Sequence, residues 1–340
     1  MILIDGSYLE GGGQIIRTSI ALSAITGKPC RITNIRSGRK NPGLQAQHLR
    51  GIEAAAKLCG AELKNAKLGS TEVEFFPKKI TGGSISIDVG TAGSITLVLQ
   101  TLVPICLYAE KESILEIIGG TDVSWSPSIN YFKNIFLNSL ELLGMKREYD
   151  FDLDIVRYGF YPKGQGRITF KIRPFRKFNK LNLVERGELE RIDIISVASE
   201  ELKGKNVAER QIVGAEKILN NIERKDAIYE KTMSTGSSIH MHAHFENCKL
   251  GASALGEITK RAEIVGEECA LNLKRQIDSK ACFDEWMADQ ILPYMALSGE
   301  SKISIAEITN HCKTNIWVIE KFLPVKFEIR GRIISCSTLP

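Results

Sequence analysis

The sequence lacks the features typical of secreted, disulfide-bonded and membrane-spanning proteins. Its eight cysteines are scattered and include no C-x-x-C pair, which favours a reduced cytoplasmic setting over a disulfide framework. The longest apolar stretch, 95–109, is shorter than the roughly 20 residues of a membrane helix and contains Gln100 and Pro104. Asp5 and Glu10 interrupt the apolar start, so no signal peptide is predicted. We therefore expect a cytoplasmic protein without a membrane partner.

The chain also lacks a strong excess of charge of either sign. Lysine and arginine number 45 against 40 acidic residues, a net charge of +5 that does not by itself indicate nucleic-acid binding. Hydrophobic residues make up 43% of the 340 positions and charged residues 25%, as in globular proteins. This length predicts two or three domains, or one domain with an insert. Nothing in the composition indicates the oligomeric state.

What the chain does contain is a repeated order of elements. Apolar spacing and glycine turns predict a first unit with strand 1–5, helix 13–26, strand 30–36, helix 43–59 and a strand pair in 61–76. A second unit follows with strand 84–88, helix 94–109, strand 113–118, helix 127–143 and strands near 145–150, 153–160 and 166–173. The turns at Gly13 and Gly93 occupy equivalent positions, which indicates duplication.

The C-terminal part resembles a further copy of this unit. Its predicted elements are helix 284–298, strand 302–308, helix 313–321 and strands 325–329 and 332–336, preceded by helix 256–275. Residues 181–255 differ in character, with a strand at 192–199, a helix at 207–221 and strands at 226–232 and 238–246. We predict an α/β (α+β) fold with a large domain of repeated βαβαββ units, 1–180 and 256–340, and a small inserted α/β domain, 181–255.

A glycine turn near the N-terminus is the first candidate ligand site. Gly11–Gly13 follow Glu10 and precede a helix, so backbone N–H groups and the helix dipole favour a phosphate there. Arg17, one turn into the helix, supplies a cation, and Glu10 suits a metal ion or a nucleoside hydroxyl. A turn that only lets a helix and a strand pack closely is the alternative interpretation.

A basic loop between the second strand and the second helix is the next candidate. Arg36, Arg39 and Lys40 cluster among two glycines and a proline, and arginine suits bidentate contact with phosphate oxygens. The two arginines indicate an anion site, whereas Lys40 alone is typical of a solvated loop. Gln47 and His48 lie on the first turns of the following helix.

Two segments near the C-terminus carry further candidate residues. Trp286 offers a flat face for a base, and Asp289 and Gln290 stand among apolar residues of a helix, where a purely structural role is the alternative. His311 precedes a helix, a position suited to nucleophilic or acid–base chemistry, although a lone histidine is often structural. Cys312 has no evident activating partner, so we do not expect a thiol nucleophile.

Three histidines alternate along one predicted strand. His240, His242 and His244 would share one face, as the ligands of a metal site do. No carboxylate or cysteine cluster beyond Glu246 and Cys248 stands nearby in the sequence. We therefore favour a solvent-facing strand over a metal site.

Taken together, these segments resemble the RNA 3′-terminal phosphate cyclases over nearly the whole chain. The matching motifs are Asp5-Gly6, Glu10 to Gln14 with Arg17, Arg36-x-Gly-Arg39, Asn41 to Leu44, Gln47-His48, Gly93 to Thr101, Gly119 to Asp122, Arg157 to Gly166, Ala288 to Gln290, His311 and Thr314 to Ile316. The order of these motifs is specific, and only the inserted segment carries none.

The resemblance implies ATP-dependent cyclisation of an RNA 3′-phosphate. ATP would adenylylate His311, AMP would pass to the RNA 3′-phosphate, and the 2′-hydroxyl would close a 2′,3′-cyclic phosphate. The implied catalytic residues are His311, Arg39, Arg36 and Arg17. The implied nucleotide-binding residues are Glu10, Gln14, Gln47, Gln100, Pro127, Trp286, Met287, Ala288, Asp289 and Gln290. Glu10 would also bind a divalent metal, Mg or Mn.

Two other functions remain open on the sequence alone. Cyclase-like proteins of ribosome assembly bind RNA without catalysis, but His311, Arg36, Arg39 and Glu10 are all present here. An enolpyruvyl-transferase-like enzyme would share the repeats, but the match of His311 and the Arg36-x-Gly-Arg39 motif does not support it. The physiological RNA and the role of the insert are not indicated by the sequence.

Overall fold

Three four-stranded sheets of identical topology organise the molecule. The structure is a computed structural model that describes residues 1–339. In each of these sheets the first strand of a unit pairs in parallel with the second, the second pairs antiparallel with the fourth, and the third lies at the edge beside the fourth. The predicted α/β class is confirmed, and its βαβαββ unit occurs three times.

The first two repeats run without interruption. The first consists of β1 (Ile2–Asp5), α1 (Gly13–Thr26), β2 (Cys30–Thr33), α2 (Ala46–Cys59), β3 (Glu62–Lys64) and β4 (Val73–Phe76). The second consists of β5 (Gly83–Asp88), α3 (Ile95–Leu107), β6 (Ser113–Gly119), α4 (129–142), β7 (Phe151–Arg157) and β8 (Gly166–Ile172). Helix α4 includes one widened π turn at Phe132–Phe136.

The third repeat is split by the insert. Its first strand is β9 (Asn182–Leu183). The segment between this strand and the rest of the repeat contains β10 (Leu189–Ser199), α5 (Val207–Glu216), β11 (Ile222–Glu230), β12 (Ser237–Phe245), β13 (Lys249–Leu255) and α6 (Ala262–Asp278). The repeat resumes with α7 (Met287–Ser298), β14 (Ser301–Ser304), α8 (Asn310–Phe322), β15 (Val325–Arg330) and β16 (Ile333–Thr338). Strand β9 pairs in parallel with β14, so the chain returns to the same sheet after the insert.

Helix α6 belongs to the layer that covers the sheet of the insert. It packs against α5 and against strands β12 and β13. The predicted division ended the insert at residue 255 and assigned 256–275 to the large domain. We propose that the insert extends to the end of α6, because that helix covers the apolar face formed by Ile239, Met241 and Ala243.

Some predicted elements differ from the structure. Residues 145–150 form a turn rather than a strand, closed by the amide of Lys146, which donates to Asp150 Oδ2 at 2.7 Å. The helix predicted at 256–275 begins only at Ala262. Helices α1 and α2 end where predicted, at Gly27 and Gly60, which adopt the left-handed conformation with φ of 68° and 59°.

The three-histidine strand is buried, and the prediction of a solvent-facing strand is therefore wrong. Strand β12 lies in the middle of its sheet between β10 and β13. Helix α4 of the second repeat covers the histidine face, where the Tyr131 ring meets the His240 ring edge-on at 6.0 Å. His240, His242 and His244 are each more than nine-tenths buried.

The core joins all repeats and the insert through apolar side chains. All eight cysteines are free and buried, where they pack as small hydrophobic residues. Among residues 1–339, no helix combines the length and apolarity needed to cross a bilayer.

Candidate active site

His311 is held in one orientation by a residue from the first repeat. It lies in the first turn of α8, where Thr309 caps the helix by accepting the Cys312 amide at 3.2 Å. Gln14 of α1 contacts the His311 Nδ1 through its Oε1, and its Nε2 donates to the His311 carbonyl at 3.4 Å. An amide oxygen only accepts, so the proton of the neutral ring resides on Nδ1. The Nε2 of His311 therefore carries the free lone pair.

An acid and a cation stand beside that nitrogen. Arg39 Nη2 donates to Glu10 Oε1 at 3.0 Å and to the Glu10 carbonyl at 3.2 Å. The same Glu10 oxygen lies 3.8 Å from His311 Nε2. The side chains remain accessible, with exposed fractions of 46% for His311, 42% for Arg39 and 29% for Glu10. A ligand from solvent can therefore reach the base, the carboxylate and the guanidinium together.

The glycine turn is required by the side chains that crowd it. A Cβ on Gly12 would lie 2.9 Å from Gln14 Oε1 and 3.5 Å from Arg39 Nη2. A Cβ on Gly13 would lie 2.3 Å from His48 Nε2, a distance that real structures do not tolerate. The glycines thus let functional side chains converge on one turn, whether or not a phosphate lies there.

His48 is a neutral, buried member of this cluster. Its Nδ1 accepts the Gln45 amide at 3.2 Å, so the proton is on Nε2, which faces the glycine turn. Burial, with smaller contributions from the charges of Arg17 and Arg36, lowers the pKa of His48 to about 3. The imidazole is therefore uncharged at neutral pH and can donate one hydrogen bond into the site.

The buried state of His48 predicts a loss of stability in acid. In the unfolded chain His48 protonates near its ordinary pKa of about 6.5, whereas in the folded chain it stays neutral to about pH 3. The unfolded state therefore binds more protons in that window, and the free energy of unfolding falls as the pH falls, by up to about 1.4 kcal/mol per pH unit. The free energy of unfolding can be measured by urea titration at several pH values between about 6 and 4. Plotted against pH, it should change less steeply for His48→Gln than for the wild type, by this amount per pH unit. Equal pH dependence in the two proteins would contradict a buried, neutral His48.

Arg36 contacts its own loop in this structure. Its Nη1 donates to the carbonyls of Asn41 and Gly43 at 2.5 and 3.1 Å, which closes loop 36–43. Burial, with a smaller contribution from the charge of Arg39, lowers the pKa of Arg36 below its usual value. The structure thus brings Arg39 to the Glu10–His311 cluster and positions it by means of the loop that Arg36 holds.

A cleft beside His311 collects several of the predicted residues. It lies between α1, α3, α7 and α8, and its polar lining consists of Gln14, Arg17, Thr18, Gln100, Asp289, Gln290 and Asn315. Gln100 donates to Gln290 at 2.8 Å, which ties α3 to α7. Burial lowers the pKa of Arg17 to about 10 and raises that of Asp289, so the guanidinium stays charged at neutral pH.

Two further predicted residues connect this region to the second repeat. Gln47 Oε1 accepts the backbone amide of Ser94 at 2.8 Å, next to the glycine turn of the second repeat. The carbonyl of Pro127 accepts the Thr96 hydroxyl at 2.8 Å. Both contacts fix neighbouring elements, and their roles toward a nucleotide stay predictions.

The side chains at the start of α7 are largely buried. Met287 is 1% exposed and Ala288 is fully buried, so their side chains belong to the core. Trp286 is half-buried and packs against that core, and its carbonyl accepts Gln290 Nε2 at 2.6 Å. Contact of these three residues with a base stays a prediction.

Sequence reasoning missed Asp284, a fully buried carboxylate behind the cleft. It accepts the Tyr131 hydroxyl at 2.5 Å, the Gly251 amide at 2.9 Å, and the Trp286 and Met287 amides at 3.1 and 2.9 Å. It thereby joins the second repeat, the insert and the start of α7. An aspartate just before a helix is a capping signal, which could have identified it.

Comparisons with known proteins agree with the predicted resemblance. A family model described as RNA 3′-terminal phosphate cyclase matches residues 8–329. A protein of that name from Pyrococcus furiosus is 45% identical over 337 residues, 98% of this chain and 96% of the relative. Its namesake from Archaeoglobus fulgidus is 44% identical over 344 residues, 98% of this chain and 100% of the relative. The predicted resemblance is confirmed, and with it the class of enzyme that the family name denotes. The chain therefore belongs to the RNA 3′-terminal phosphate cyclase family.

Proposed function

We propose that this protein converts an RNA 3′-terminal phosphate into a 2′,3′-cyclic phosphate with consumption of ATP. The observation that carries this proposal is the convergence of Gln14, Glu10 and Arg39 around the accessible imidazole ring of His311. A neutral imidazole with a fixed tautomer, next to a cation and a carboxylate, suits nucleophilic attack on phosphorus.

In the first step, the Nε2 of His311 attacks the α-phosphorus of ATP. A phosphorus–nitrogen bond forms, the bond to the bridging oxygen breaks, and pyrophosphate leaves. Gln14 Oε1 accepts a hydrogen bond from Nδ1–H and thus stabilises the positive charge that develops on the ring. Arg39 and Arg17 supply positive charge for the phosphoryl oxygens.

In the second and third steps, AMP passes to the RNA and is then displaced. An oxygen of the RNA 3′-phosphate attacks the adenylyl phosphorus, and His311 leaves as a neutral imidazole. The neighbouring 2′-hydroxyl then attacks the 3′-phosphorus, loses its proton and expels AMP. A 2′,3′-cyclic phosphate remains.

The cleft supports the nucleotide part of this proposal. Amide side chains of Gln100 and Gln290 and the charges of Arg17 and Asp289 line a recess that opens beside Gln14. Pro127 and Trp286 would lie on either side of the adenine base. Gln47 would hold the glycine turn of the second repeat through its contact with Ser94. Arg36 would act through the loop that carries Arg39.

Glu10 fits the binding of a divalent cation. Its carboxylate is partly exposed and faces the position of the reacting nitrogen, and Mg²⁺ is commonly held by one or two carboxylates together with substrate phosphates. Such an ion, Mg²⁺ or Mn²⁺, would neutralise phosphate charge during transfer.

An RNA with a 3′-phosphate tests the function. Incubation with ATP should give a terminus that resists phosphatase, because the cyclic diester has no free monoester. A matched RNA whose terminal sugar lacks the 2′-hydroxyl should stop at the RNA–adenylate. Tight binding of RNA without any product, even with ATP and metal present, would instead favour a non-catalytic RNA-binding scaffold.

Arg39 gives a prediction with a matched control. Arg39→Ala should lower kcat/KM about 10²–10³-fold, because it removes a fixed charge from the transferring phosphoryl group. Arg39→Lys keeps the charge and should retain part of the activity. Arg50→Ala removes an arginine of α2 that pairs with Glu53 at 2.7 Å, and it should leave kcat/KM unchanged. Equal losses in the Arg39 and Arg50 variants would contradict the role of Arg39.

A further inference from the structure

The buried histidine face of β12 contacts a carboxylate, Asp193, that is distant from these histidines in the sequence. Asp193 lies on the adjacent strand β10, opposite His242 in the antiparallel register. Its Oδ2 is 2.8 Å from His244 Nε2 and 3.6 Å from His242 Nε2. The three ligand atoms, one from each residue, lie within 4.8 Å of one another.

Protein groups satisfy this cluster only in part, because His244 Nε2 and Asp193 Oδ2 share a hydrogen bond of 2.8 Å while other polar atoms have no partner. Asp193 Oδ1 and His242 Nδ1 are buried and have no hydrogen-bond partner within the described part of the chain. Arg191 Nε lies 3.4 Å from Asp193 Oδ1 without forming a hydrogen bond, so it balances the charge of the carboxylate from one side. Buried polar atoms without partners are rare in native proteins, so the surroundings of this cluster are incomplete without a further group.

Both histidines direct the same ring nitrogen to the carboxylate. The Nε2 atoms of His242 and His244 lie 3.6 and 2.8 Å from Asp193 Oδ2. A metal ion binds neutral imidazole, so any proton held between these atoms would be released when the ion binds. His240, two residues away on the same face, instead pairs its Nδ1 with the Ser253 hydroxyl at 3.1 Å.

We propose that Asp193, His242 and His244 bind one Zn²⁺ ion. Two imidazole nitrogens and one carboxylate oxygen form a ligand set typical of zinc, with the fourth position left for water. Ligand atoms around a tetrahedral zinc lie about 3.3 Å apart, given bond lengths of about 2.0–2.1 Å. Two of the three separations, 2.8 and 3.6 Å, lie on either side of that value, and the third lies within 4.8 Å, so rotation of the two rings can bring the three atoms around one ion.

The position of the site indicates a structural role. The ion would join β10 to β12 in the centre of the insert sheet, beneath helix α4 of the second repeat. The site lies on the insert, whereas His311 and Glu10 lie on the third and first repeats. The inference therefore does not depend on the cyclase activity.

Metal binding by the whole protein tests this site. The chain, stripped with a chelator and dialysed, should take up Zn²⁺ by calorimetry and elemental analysis, and its Tm should rise. Asp193→Asn and His242→Asn should each bind one ion fewer per chain, or bind it at least about 100-fold more weakly, and should lose the rise in Tm. Co²⁺ as a probe should give visible absorption of a tetrahedral site without the near-ultraviolet band of a thiolate, which excludes binding by the buried cysteines.

A histidine on the same strand provides the matched control. His240→Asn alters an equally buried ring and should keep the full stoichiometry and the Co²⁺ spectrum. Circular dichroism verifies that each variant is folded before its binding is compared. Folded wild-type protein that binds no more Zn²⁺ than Asp193→Asn would overturn the proposal. Loss of the ion in His240→Asn would overturn the assignment of these three ligands.

Discussion

Replacement of His311 by alanine is expected to abolish the transfer of AMP from ATP to the protein. The imidazole Nε2 is the nucleophile in the proposed mechanism. The nearby imidazole of His48 cannot replace it, because its Nδ1 accepts the Gln45 amide and its Nε2 carries the proton. The rate of cyclisation should fall at least about 10⁴-fold, as expected when a covalent nucleophile is removed. ATP labelled on the α-phosphate should give an acid-labile, base-stable protein adduct with the wild type and none with His311→Ala.

The neighbouring residues of α8 provide the control for this experiment. Lys313 is exposed on the same first turns of the helix, so Lys313→Ala should form the adduct at the wild-type rate. Gln14→Ala should keep the nucleophile but lower the rate of adduct formation, because the Nδ1–H group of His311 loses its hydrogen-bond acceptor. A persistent adduct in His311→Ala would assign the nucleophile to another residue.

Removal of the Asp284 carboxylate is expected to cause a large loss of stability. Asp284→Ala would leave the Tyr131 hydroxyl and three backbone amides without their acceptor in a buried region. Unsatisfied buried donors cost about 1–3 kcal/mol each, so the free energy of unfolding should fall by about 3–5 kcal/mol after partial relaxation. Urea unfolding measures this loss directly.

Two milder variants separate the contributions of Asp284. Asp284→Asn keeps one oxygen and the shape of the side chain, so its loss should be smaller. Tyr131→Phe removes only the hydroxyl donor and should cost about 1–2 kcal/mol. Because the Gly251 amide belongs to the insert, its hydrogen exchange should accelerate in Asp284→Ala more than in Tyr131→Phe. A stability of Asp284→Ala within about 1 kcal/mol of the wild type would contradict this role.

Local patterns in the sequence were sufficient to predict the helices of the repeated unit. Helical spacing and the glycines at 27 and 60 predicted α1 and α2, because these signals act within one element. The very short β9 has no such signal. It is a strand because β14, far along the chain, provides its backbone partner.

The sequence predicted which residues form the candidate site, but it did not predict all of the contacts that they make. The motifs identified His311, Glu10 and Arg39, and the structure brings these three together. That Arg36 would donate to the carbonyls of its own loop depends on a backbone geometry with φ of 52°, which the residue type does not reveal.

The histidine strand marks the limit of pattern reasoning most clearly. Alternation correctly identified His240, His242 and His244 as sharing one face. It could not identify that face as buried, because α4 from another repeat covers it. Nor could it identify Asp193, because the neighbour across a sheet is set by the register of β10 against β12.

The split of the active site between the first and last repeats has a consequence for synthesis in the cell. Gln14 and His311 are 297 residues apart in the sequence, and they meet only when α8 docks against α1. A nascent chain can therefore complete two repeats and the insert while it still lacks His311, the proposed nucleophile. In the proposed mechanism, a chain that stops before α8 cannot be adenylylated and is therefore chemically inert.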